Sequence, residues 1–276
     1  MDTPLRLPAL RLDYRNQSCA IRTLASMSFQ DQAQAVVNRQ GSIAENPLIV
    51  LPITSYQQHQ TPNPGARPAS VWHVVLDNRL EAFHKPFDDI DVALARAYGQ
   101  HRREPPIHEC VAWRLAHELG APLEELVAPT VLRPRNGKWG SLCLRKAGVG
   151  QTYEPMLRRP DLAKAVGFFD ALIAQQDRHL GNMRWDSGSQ RLGLFDHGYA
   201  FAVPGDYFNH SAFVEWRWNA GQQRLDAWEV AALQGLLNSY ELHAVAPMLA
   251  PHRAQRLEER AQLMLASGAI LAKGQW

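Results

Sequence analysis

The chain has 276 residues, of which 46% are hydrophobic and 20% are charged. This composition excludes a wholly disordered protein and supplies enough apolar side chains for a continuous core. The 29 basic and 27 acidic residues are intermixed and leave a formal net charge of +2, so composition indicates no dedicated nucleic-acid or strongly anionic partner.

The cysteine spacing and the hydropathy of the sequence indicate the cellular compartment of the protein. Cys19, Cys110 and Cys143 are far apart and show no C-x-x-C spacing, which predicts a reducing environment and argues against structural zinc. No run of about eighteen apolar residues is present, so no membrane span is expected. The first residues also lack the layout of a secretory signal. We therefore expect a cytoplasmic protein, and delivery into another cell by a secretion system stays open.

The N-terminal part of the chain contains one hairpin signal. Val71–Leu76 and Leu80–Pro86 flank a tight Asp-Asn-Arg turn, which predicts strand, turn and strand. Lys85 closes the second strand. Upstream, the polar segment Arg15–Gln40 is either an N-terminal extension or part of the first folded unit. The segment Thr61–Ser70 has the proline content of an exposed loop.

A helix is predicted over His108–Leu119, because its apolar residues repeat at helical spacing and Gly120 supplies a C-cap signal. Glu109 lies on a face of this helix that is otherwise apolar. Its carboxylate is either a first-turn acid favoured by the helix dipole or the partner of a cation.

The rest of the chain contains a second hairpin and further helices. Pro129–Arg133 and Ser141–Arg145 alternate on either side of an Asn-Gly-Lys turn, which predicts two more strands. Helical spacing then returns from Pro160 to Ile173, in Leu225–Leu237 and in Arg253–Leu271. We expect these helices to form a core.

Two short motifs carry the chemistry. The first is Asp-Arg-His-Leu-Gly-Asn at Asp177–Asn182, and the second is Phe-Asp-His-Gly at Phe195–Gly198. The intervening segment, Met183–Leu194, has room for two short strands around an Asp-Ser-Gly-Ser turn. Such a hairpin would bring both motifs to one place.

The residue types in these motifs suit phosphoryl transfer. Mg²⁺ is a hard cation that prefers carboxylate and amide oxygens, and Asp196 and Asn182 supply both. Asp177 is a candidate to orient an attacking hydroxyl. His179 could share that task, because a neutral imidazole can relay a proton. The sequence does not rank Asp177 and His179.

Asp-Arg-His-x-x-Asn followed by Asp-x-Gly resembles the pattern of the phosphoinositide 3-/4-kinase-like and HipA-like atypical kinases. Ordinary protein kinases place the histidine first. The second family motif is usually Asp-Phe-Gly, whereas His197 takes the middle position here. The resemblance covers Val71 to Ala202 in motif order and is specific around the two motifs.

The resemblance implies further site residues. Lys85 would pair with the α- and β-phosphates of ATP and would be held by Glu109. The glycine-rich segment around Leu144 and Lys146 would be the hinge between two lobes, near the adenine.

The loop that covers the phosphates is the weakest match. It would lie in the Pro-rich segment before Val71, which has one glycine and no G-x-G-x-x-G motif. Arg67 and Ser70 would supply a guanidinium and a hydroxyl for phosphate. An ordinary exposed loop explains the same residues equally well.

The expected fold is therefore α+β and two-lobed, like a protein kinase, with a small, mainly antiparallel β N-terminal lobe that contains one key helix, and a mainly helical C-terminal lobe. We place the first lobe at residues 1–146, with 1–45 as a candidate extension, and the second at 147–276. The resemblance implies transfer of the γ-phosphate of Mg-ATP, or Mn-ATP, to a hydroxyl. A protein Ser/Thr is the first choice of acceptor, and an inositol lipid or small molecule the second.

Three other functions compete. The chain could be a kinase-like pseudoenzyme that binds nucleotide, or it could transfer AMP instead of phosphate. A metal-dependent phosphohydrolase is the third alternative, because His and Asp at short spacing also ligate transition metals. The candidate ligands of that site are Asp177, His179, Asp196, His197 and His210.

Overall fold

The computed structural model describes residues 28–59, 71–204, 206, 211–238, 242 and 245–272. Its strands are β1 Ile53–Gln58, β2 Trp72–Leu76, β3 Glu81–Pro86, β4 Thr130–Arg135, β5 Lys138–Leu144, β6 Met183–Asp186 and β7 Arg191–Leu194. Its helices are α1 Phe29–Val37, α2 Asn46–Val50, α3 Val92–Ala97, α4 Glu104–Leu119, α5 Leu123–Leu126, α6 Glu154–Arg158, α7 Pro160–Leu172, α8 Ala212–Asn219, α9 Ala227–Asn238 and α10 Pro251–Ser267.

The first five strands form one antiparallel sheet in the order β1-β2-β3-β5-β4. Both predicted hairpins of this sheet are present, with ends shifted by one to three residues. The sequence did not predict β1, whose residues are mostly polar. The apolar run before it belongs to the short helix α2, which has proline in its first turn.

Strand alternation gives the sheet two different faces. Ala82 and His84 of β3 are buried on one face. That face covers a small core made of Leu48, Val74, Leu76, Ala82, Val131 and Leu142. Lys85 alternates with these residues and therefore projects from the opposite face, towards α4.

Helix α4 crosses that opposite face and is buried along most of its length. It begins at Glu104, earlier than predicted, because Pro105 and Pro106 occupy the first turn, where a missing N–H costs nothing. It ends at Gly120, which has a φ of 74° and is the predicted C-cap. Glu109 is only 2% exposed, so its carboxylate must find partners inside the protein.

The larger core lies among the helices. It joins α4 to α7, α9 and α10 and to the hairpin of β6 and β7. The three predicted C-terminal helices are present as α7, α9 and α10, although α10 ends at Ser267 because Gly268 adopts a left-handed C-cap. None of the helices in the described ranges is both long and apolar enough to span a bilayer.

The described part of the candidate N-terminal extension packs on the rest of the fold. Ser28 caps α1 through a capping box, and α1 packs against α4 and β4. The side-chain amide of Gln40 forms hydrogen bonds with both the N–H and the carbonyl of Leu132 on β4. The buried carboxylate of Glu45 accepts hydrogen bonds from Trp113 and Arg114 on α4.

Candidate active site

The hairpin of β6 and β7 brings the two motifs together, as the sequence predicts. Met183 and Leu194 are paired at its open end, so Asn182 and Phe195 are neighbours. The Arg178 guanidinium ties the two motifs to each other, because one of its nitrogens donates to the carbonyls of Asn182 (2.8 Å) and Phe195 (2.7 Å).

Arg178 is itself fixed by a buried ion pair. Its Nε lies 3.2 Å from Asp170 Oδ2 on α7, and both side chains are fully buried. Ser211, which caps α8, donates to the same Asp170 oxygen at 2.6 Å. Charge-assisted hydrogen bonds of this kind hold a loop in one geometry. The sequence analysis missed Asp170 and Ser211, although an acid among the apolar residues of α7 is a usable signal.

Lys85 joins the two sides of the candidate cleft, whose upper wall is the sheet face with Lys85 and, on α4, Glu109, and whose lower wall carries Asp177, Asn182 and Asp196. Its ammonium donates to Glu109 Oε1 and, at 2.7 Å, to Asp196 Oδ1. Ser141, opposite Lys85 on β5, donates to the second Glu109 oxygen at 3.1 Å. The structure therefore places three of the predicted site residues in one hydrogen-bonded cluster.

The charges of Lys85 and Asp196 stabilise each other. Burial alone would lower the pKa of Lys85, but the carboxylates of Asp196 and Glu109 outweigh burial and raise it above its ordinary value. Burial would raise the pKa of Asp196, but the Lys85 ammonium holds it below its ordinary value. The ammonium and the Asp196 carboxylate are consequently both charged at neutral pH.

The backbone around Asp196 is specialised. Asp196 has a φ of 59°, a left-handed conformation that non-glycine residues seldom adopt, and the Gln175 amide donates to its carbonyl at 2.9 Å. Position 198 requires a small residue, glycine, because helix α4 passes close by. A Cβ at this position would lie 3.0 Å from the Cβ of Pro105 and 3.5 Å from Glu109 Oε1.

His197 fills the position that is usually phenylalanine in the resembling kinases, and it packs as an aromatic residue. The side chain is buried and meets the Phe169 ring edge-on, with 6.0 Å between ring centroids. Burial lowers the pKa of His197 well below its ordinary value, so the ring is neutral. Its Nε2 has no hydrogen-bond partner among the described residues.

Asp177 lies at the mouth of the cleft and is half-buried. The Tyr98 hydroxyl donates to Asp177 Oδ1 at 3.3 Å, and the Tyr98 ring stacks on Tyr199 with 4.2 Å between centroids. Burial, with a smaller contribution from Asp196, raises the pKa of Asp177. The sequence analysis missed both tyrosines, which no local motif marks.

His179 has a different environment from Asp177. Its side chain is exposed, and its Nδ1 accepts a hydrogen bond from the Gly181 N–H at 2.9 Å. The neutral ring therefore carries its proton on Nε2. The ring caps the turn Leu180–Asn182 and makes no hydrogen bond to the Asp177 carboxylate.

Asn182 and Asp196 fit the oxygen-donor set that Mg²⁺ or Mn²⁺ prefers. The Asn182 amide nitrogen donates to the Asp177 carbonyl at 2.7 Å, which fixes the orientation of the amide and leaves its oxygen as the atom for a metal. Across the described ranges, no group of three His, Cys, Asp or Glu side chains is spaced to hold a metal ion by itself. A metal here would need further oxygens from water or a bound phosphate.

The structure separates the two predicted hinge residues. Leu144 ends β5 and packs on the small core beneath the sheet. The Lys146 ammonium donates to the carbonyl of Glu125 at 2.9 Å and lines a different cavity, so the structure does not bring Lys146 to the Lys85 cluster. Arg67 and Ser70 lie outside the described residues.

An aromatic and basic strip shares the sheet face of Lys85, and the sequence analysis did not single it out. Phe83, two residues before Lys85, contacts the rings of His59 and His73. Glu81 binds His73 Nε2 at 2.9 Å and also pairs with Arg145. Alternation of side chains along β3 is the signal that could have predicted this strip.

No protein-family model and no curated protein matches this chain. Among solved structures, the chain is similar to the golgi casein kinase, with a TM-score of 0.52 and 13% sequence identity over 96% of this chain and 92% of that chain. It also matches the Helicobacter pylori proinflammatory kinase CtkA, with a TM-score of 0.42 and 13% identity over 81% of this chain and 94% of that chain. The first likeness shows a kinase-like fold, which confirms the fold predicted from the sequence.

Proposed function

We propose that this protein is an atypical kinase that transfers the γ-phosphate of ATP to a hydroxyl group. The observation that carries the proposal is the contact of Lys85 with both Glu109 and Asp196, in a kinase-like fold that also places Asn182 beside Asp177. These are the charges that phosphoryl transfer requires, because the enzyme contributes mainly position and electrostatic stabilisation.

Lys85 and Glu109 act on the phosphates. Glu109 holds the ammonium inside the cleft, where it can contact the α- and β-phosphate oxygens. When a triphosphate binds, Lys85 exchanges its hydrogen bond to Asp196 for bonds to phosphate. The Asp196 carboxylate, freed from that contact, and the Asn182 oxygen would hold the metal. The metal, when bound, neutralises charge that develops on the phosphate oxygens.

Asp177 orients the acceptor. Its carboxylate accepts a hydrogen bond from the acceptor hydroxyl and takes the proton as the new O–P bond forms and the bond between the γ-phosphorus and the bridging oxygen breaks, which releases ADP. A pKa raised by burial makes this carboxylate a better proton acceptor than an exposed aspartate. His179 is exposed and holds its own turn, so we assign it a supporting role in shaping the catalytic loop.

The acceptor that we favour is a serine or threonine of a protein. This choice rests on the motif resemblance to HipA-like kinases, and the phosphoinositide 3-/4-kinase-like pattern makes an inositol lipid or small molecule the second choice. The hydrolase alternative gains no support from the geometry. His197, one of its candidate ligands, is buried against Phe169 instead of facing the cleft.

Calorimetric titration with ATP, with and without Mg²⁺, tests the proposal. We expect magnesium-dependent binding in the wild type and its loss in Asp196→Asn. Asp88→Asn is the matched control, because Asp88 is exposed and its ion-pair partner among the described residues, Arg102, lies 3.7 Å away. Asp177→Ala should keep nucleotide affinity and lose phosphate transfer to serine and threonine in a denatured protein mixture.

The titration and the transfer assay together separate the alternatives. Magnesium-dependent binding without any transfer, in the presence of protein, lipid and small-molecule acceptors, would indicate a nucleotide-binding pseudoenzyme. Transfer of label from α-labelled but not γ-labelled ATP would indicate AMP transfer. Absence of ATP binding in the wild type would contradict the proposal.

A further inference from the structure

A second cavity lies behind the hinge, away from the Lys85 cluster. It encloses about 690 Å³ and is bounded by α5, the segment 145–147, the start of α7 and the turn between β6 and β7. Neither Lys85, Glu109, Asp177, Asn182 nor Asp196 lines it. It is therefore separate from the proposed phosphotransfer site, and its volume falls in the range of about 300–1,000 Å³ that is typical of small-molecule sites.

The lining of this cavity combines an apolar floor with basic walls. Leu126 and Leu192, both buried, form part of the floor. The walls contain four cationic side chains, Arg145, Lys146, Arg159 and Arg191, and two carboxylates, Glu125 and Asp186. The near-neutral composition of the whole chain conceals this local excess of positive charge.

Two of the four cations already have carboxylate partners. Arg159 forms two hydrogen bonds with Asp161, at 2.9 and 2.6 Å, and Arg145 pairs with Glu81. Lys146 differs, because the contact of its ammonium in the described structure is the neutral carbonyl of Glu125. An ammonium has three donors, so this contact leaves capacity for an anion.

Arg191 is the second cation without a close carboxylate. It is exposed and forms no ion pair within the ranges that the structure describes. Asp186 lies opposite it across the hairpin, but the Asp186 oxygens accept hydrogen bonds from Gly188 and Ser189 in the turn. The Asp186 carboxylate therefore attracts Arg191 only through space, and the guanidinium keeps its donors for another anion.

Gly193 positions Lys146 in the cavity. A Cβ on Gly193 would lie 2.5 Å from the Lys146 Cβ, so only glycine lets the lysine stem lie across the hairpin. Burial lowers the pKa of Lys146, and the positive charge of Arg191 acts in the same direction. The Glu125 carboxylate acts on Lys146 in the opposite direction. Lys146 and Arg191 thus face one cavity without an ion-pair partner in the described ranges, and a bound anion would stabilise both charges.

We propose that this cavity is a binding site for a small organic phosphate, with the phosphate between Lys146 and Arg191 and an apolar or ring body on the floor of Leu126 and Leu192. The mixed lining favours such a ligand over inorganic phosphate, which would leave the floor uncovered. The site is independent of the phosphotransfer reaction proposed above, so its test does not depend on activity.

Calorimetric titration of the whole protein with 1-naphthyl phosphate, without nucleotide, tests the site. We expect saturable binding in the wild type and weaker binding of inorganic phosphate. Lys146→Met and Arg191→Gln should each weaken binding by about tenfold or more, the loss expected for one charge-assisted contact. Asp196→Asn, in the other cleft, should bind as the wild type does.

Two further variants guard against misfolding and non-specific charge effects. Gln190→Glu adds a carboxylate to the exposed rim, removes no packing and should also weaken binding. Arg158→Gln removes an exposed cation outside the cavity and should leave binding unchanged. Thermal unfolding of each variant identifies any that does not fold.

The proposal fails if 1-naphthyl phosphate does not bind, or if it binds equally well to the wild type, Lys146→Met and Gln190→Glu. It also fails if Asp196→Asn abolishes binding, because the phosphate would then occupy the nucleotide cleft. Binding of a synthetic Leu- and Glu-rich peptide in place of the aryl phosphate would overturn it in favour of a protein-docking surface.

Discussion

The two walls of the cleft are held in different ways. The lower wall, with Asp177, Asn182 and Asp196, is tied by Arg178 to a fully buried carboxylate on α7. The upper wall is held by the Lys85–Glu109 pair and by a sheet whose own core is small. Lys85 also contacts the lower wall through Asp196, and in the proposed reaction the nucleotide would replace that contact.

This difference indicates which parts of the site are formed in advance. The lower wall has its geometry before any ligand binds, because the Arg178–Asp170 ion pair is buried and Asp170 also accepts a hydrogen bond from Ser211. In the proposed reaction, the upper wall would complete its geometry when phosphate replaces Asp196 as the partner of Lys85. Mutations in the two walls should therefore differ in whether they affect turnover or nucleotide affinity.

Removing Arg178, which links the lower wall to Asp170 on α7, should have the largest effect on the free energy of unfolding. Arg178→Ala leaves Asp170 buried without its cation, which should reduce the free energy of unfolding by about 3–5 kcal/mol. Arg217→Ala is the matched control, because Arg217 and Glu229 form another fully buried ion pair, 2.6 Å apart. Chemical unfolding should show similar losses for both variants. Only Arg178→Ala should lower turnover of protein that is still folded, and equal turnover in the two would contradict the proposed tie.

The sheet behind the upper wall should weaken in acid. Burial lowers the pKa of His84 to about 4, and the neutral ring accepts from Tyr56 at 2.9 Å and donates to the Arg133 carbonyl. The unfolded value is about 6.5, so the unfolded chain binds more protons between these values, and stability falls as pH drops from about 6.5 to 4. The full shift is worth about 3 kcal/mol.

Urea unfolding between pH 7 and 4.5 measures this effect. His84→Gln should show a shallower loss of stability on acidification than the wild type. His101→Gln, at an exposed position, should keep the wild-type slope. Buried His108 and His197 change stability in the same direction, so part of the slope should remain in His84→Gln.

Lys85→Met should weaken nucleotide binding more than mutations in the lower wall do. Loss of the ammonium removes a charge-assisted contact worth about 1.5–3 kcal/mol, so the Kd for Mg-ATP should rise by at least about tenfold. Lys85→Arg keeps the charge and should lose less. Calorimetry in both variants provides the measurement. Wild-type affinity in Lys85→Met would mean that this lysine has only a structural role.

Tyr98→Phe should have the smallest effect. It removes the hydrogen bond to Asp177 and keeps the stack on Tyr199, so kcat should fall by about twofold to tenfold, as expected for one hydrogen bond of about 0.5–1.5 kcal/mol. The Kd for Mg-ATP should not change. Tyr199→Phe keeps the stack and the Tyr98 hydroxyl, and it should retain full turnover. An unchanged kcat in Tyr98→Phe would exclude a role for this contact.

Much of the fold could be predicted from the sequence, because its signals are local. Turn residues marked the hairpins, and Gly120 and the periodicity of α4 marked the helix that carries Glu109. The polar strand β1 has no such signal, since it is held by pairing with β2 instead of by its own apolar pattern. The start of α4 was placed too late because prolines are also common in loops.

The predictions for the site were best where one motif carried several groups. Asp177 and Asn182 are hydrogen-bonded to each other because they share one short loop. Lys146 was placed by distance along the chain, but it lies after the end of β5, where no strand pattern fixes the direction of its side chain, and it lines another cavity. Tyr98 and Asp170 reach the site from distant segments, and that proximity depends on tertiary packing.

The pairing of Gln40 with Leu132 has a consequence for self-association. β4 is the last strand of its sheet, and an outer strand with free N–H and carbonyl groups can recruit a strand from another molecule. The Gln40 amide occupies both groups of Leu132 and imitates a short piece of strand. A shortened chain that begins after residue 45 would lose this cover. We expect it to aggregate through β4 even where its cleft still folds.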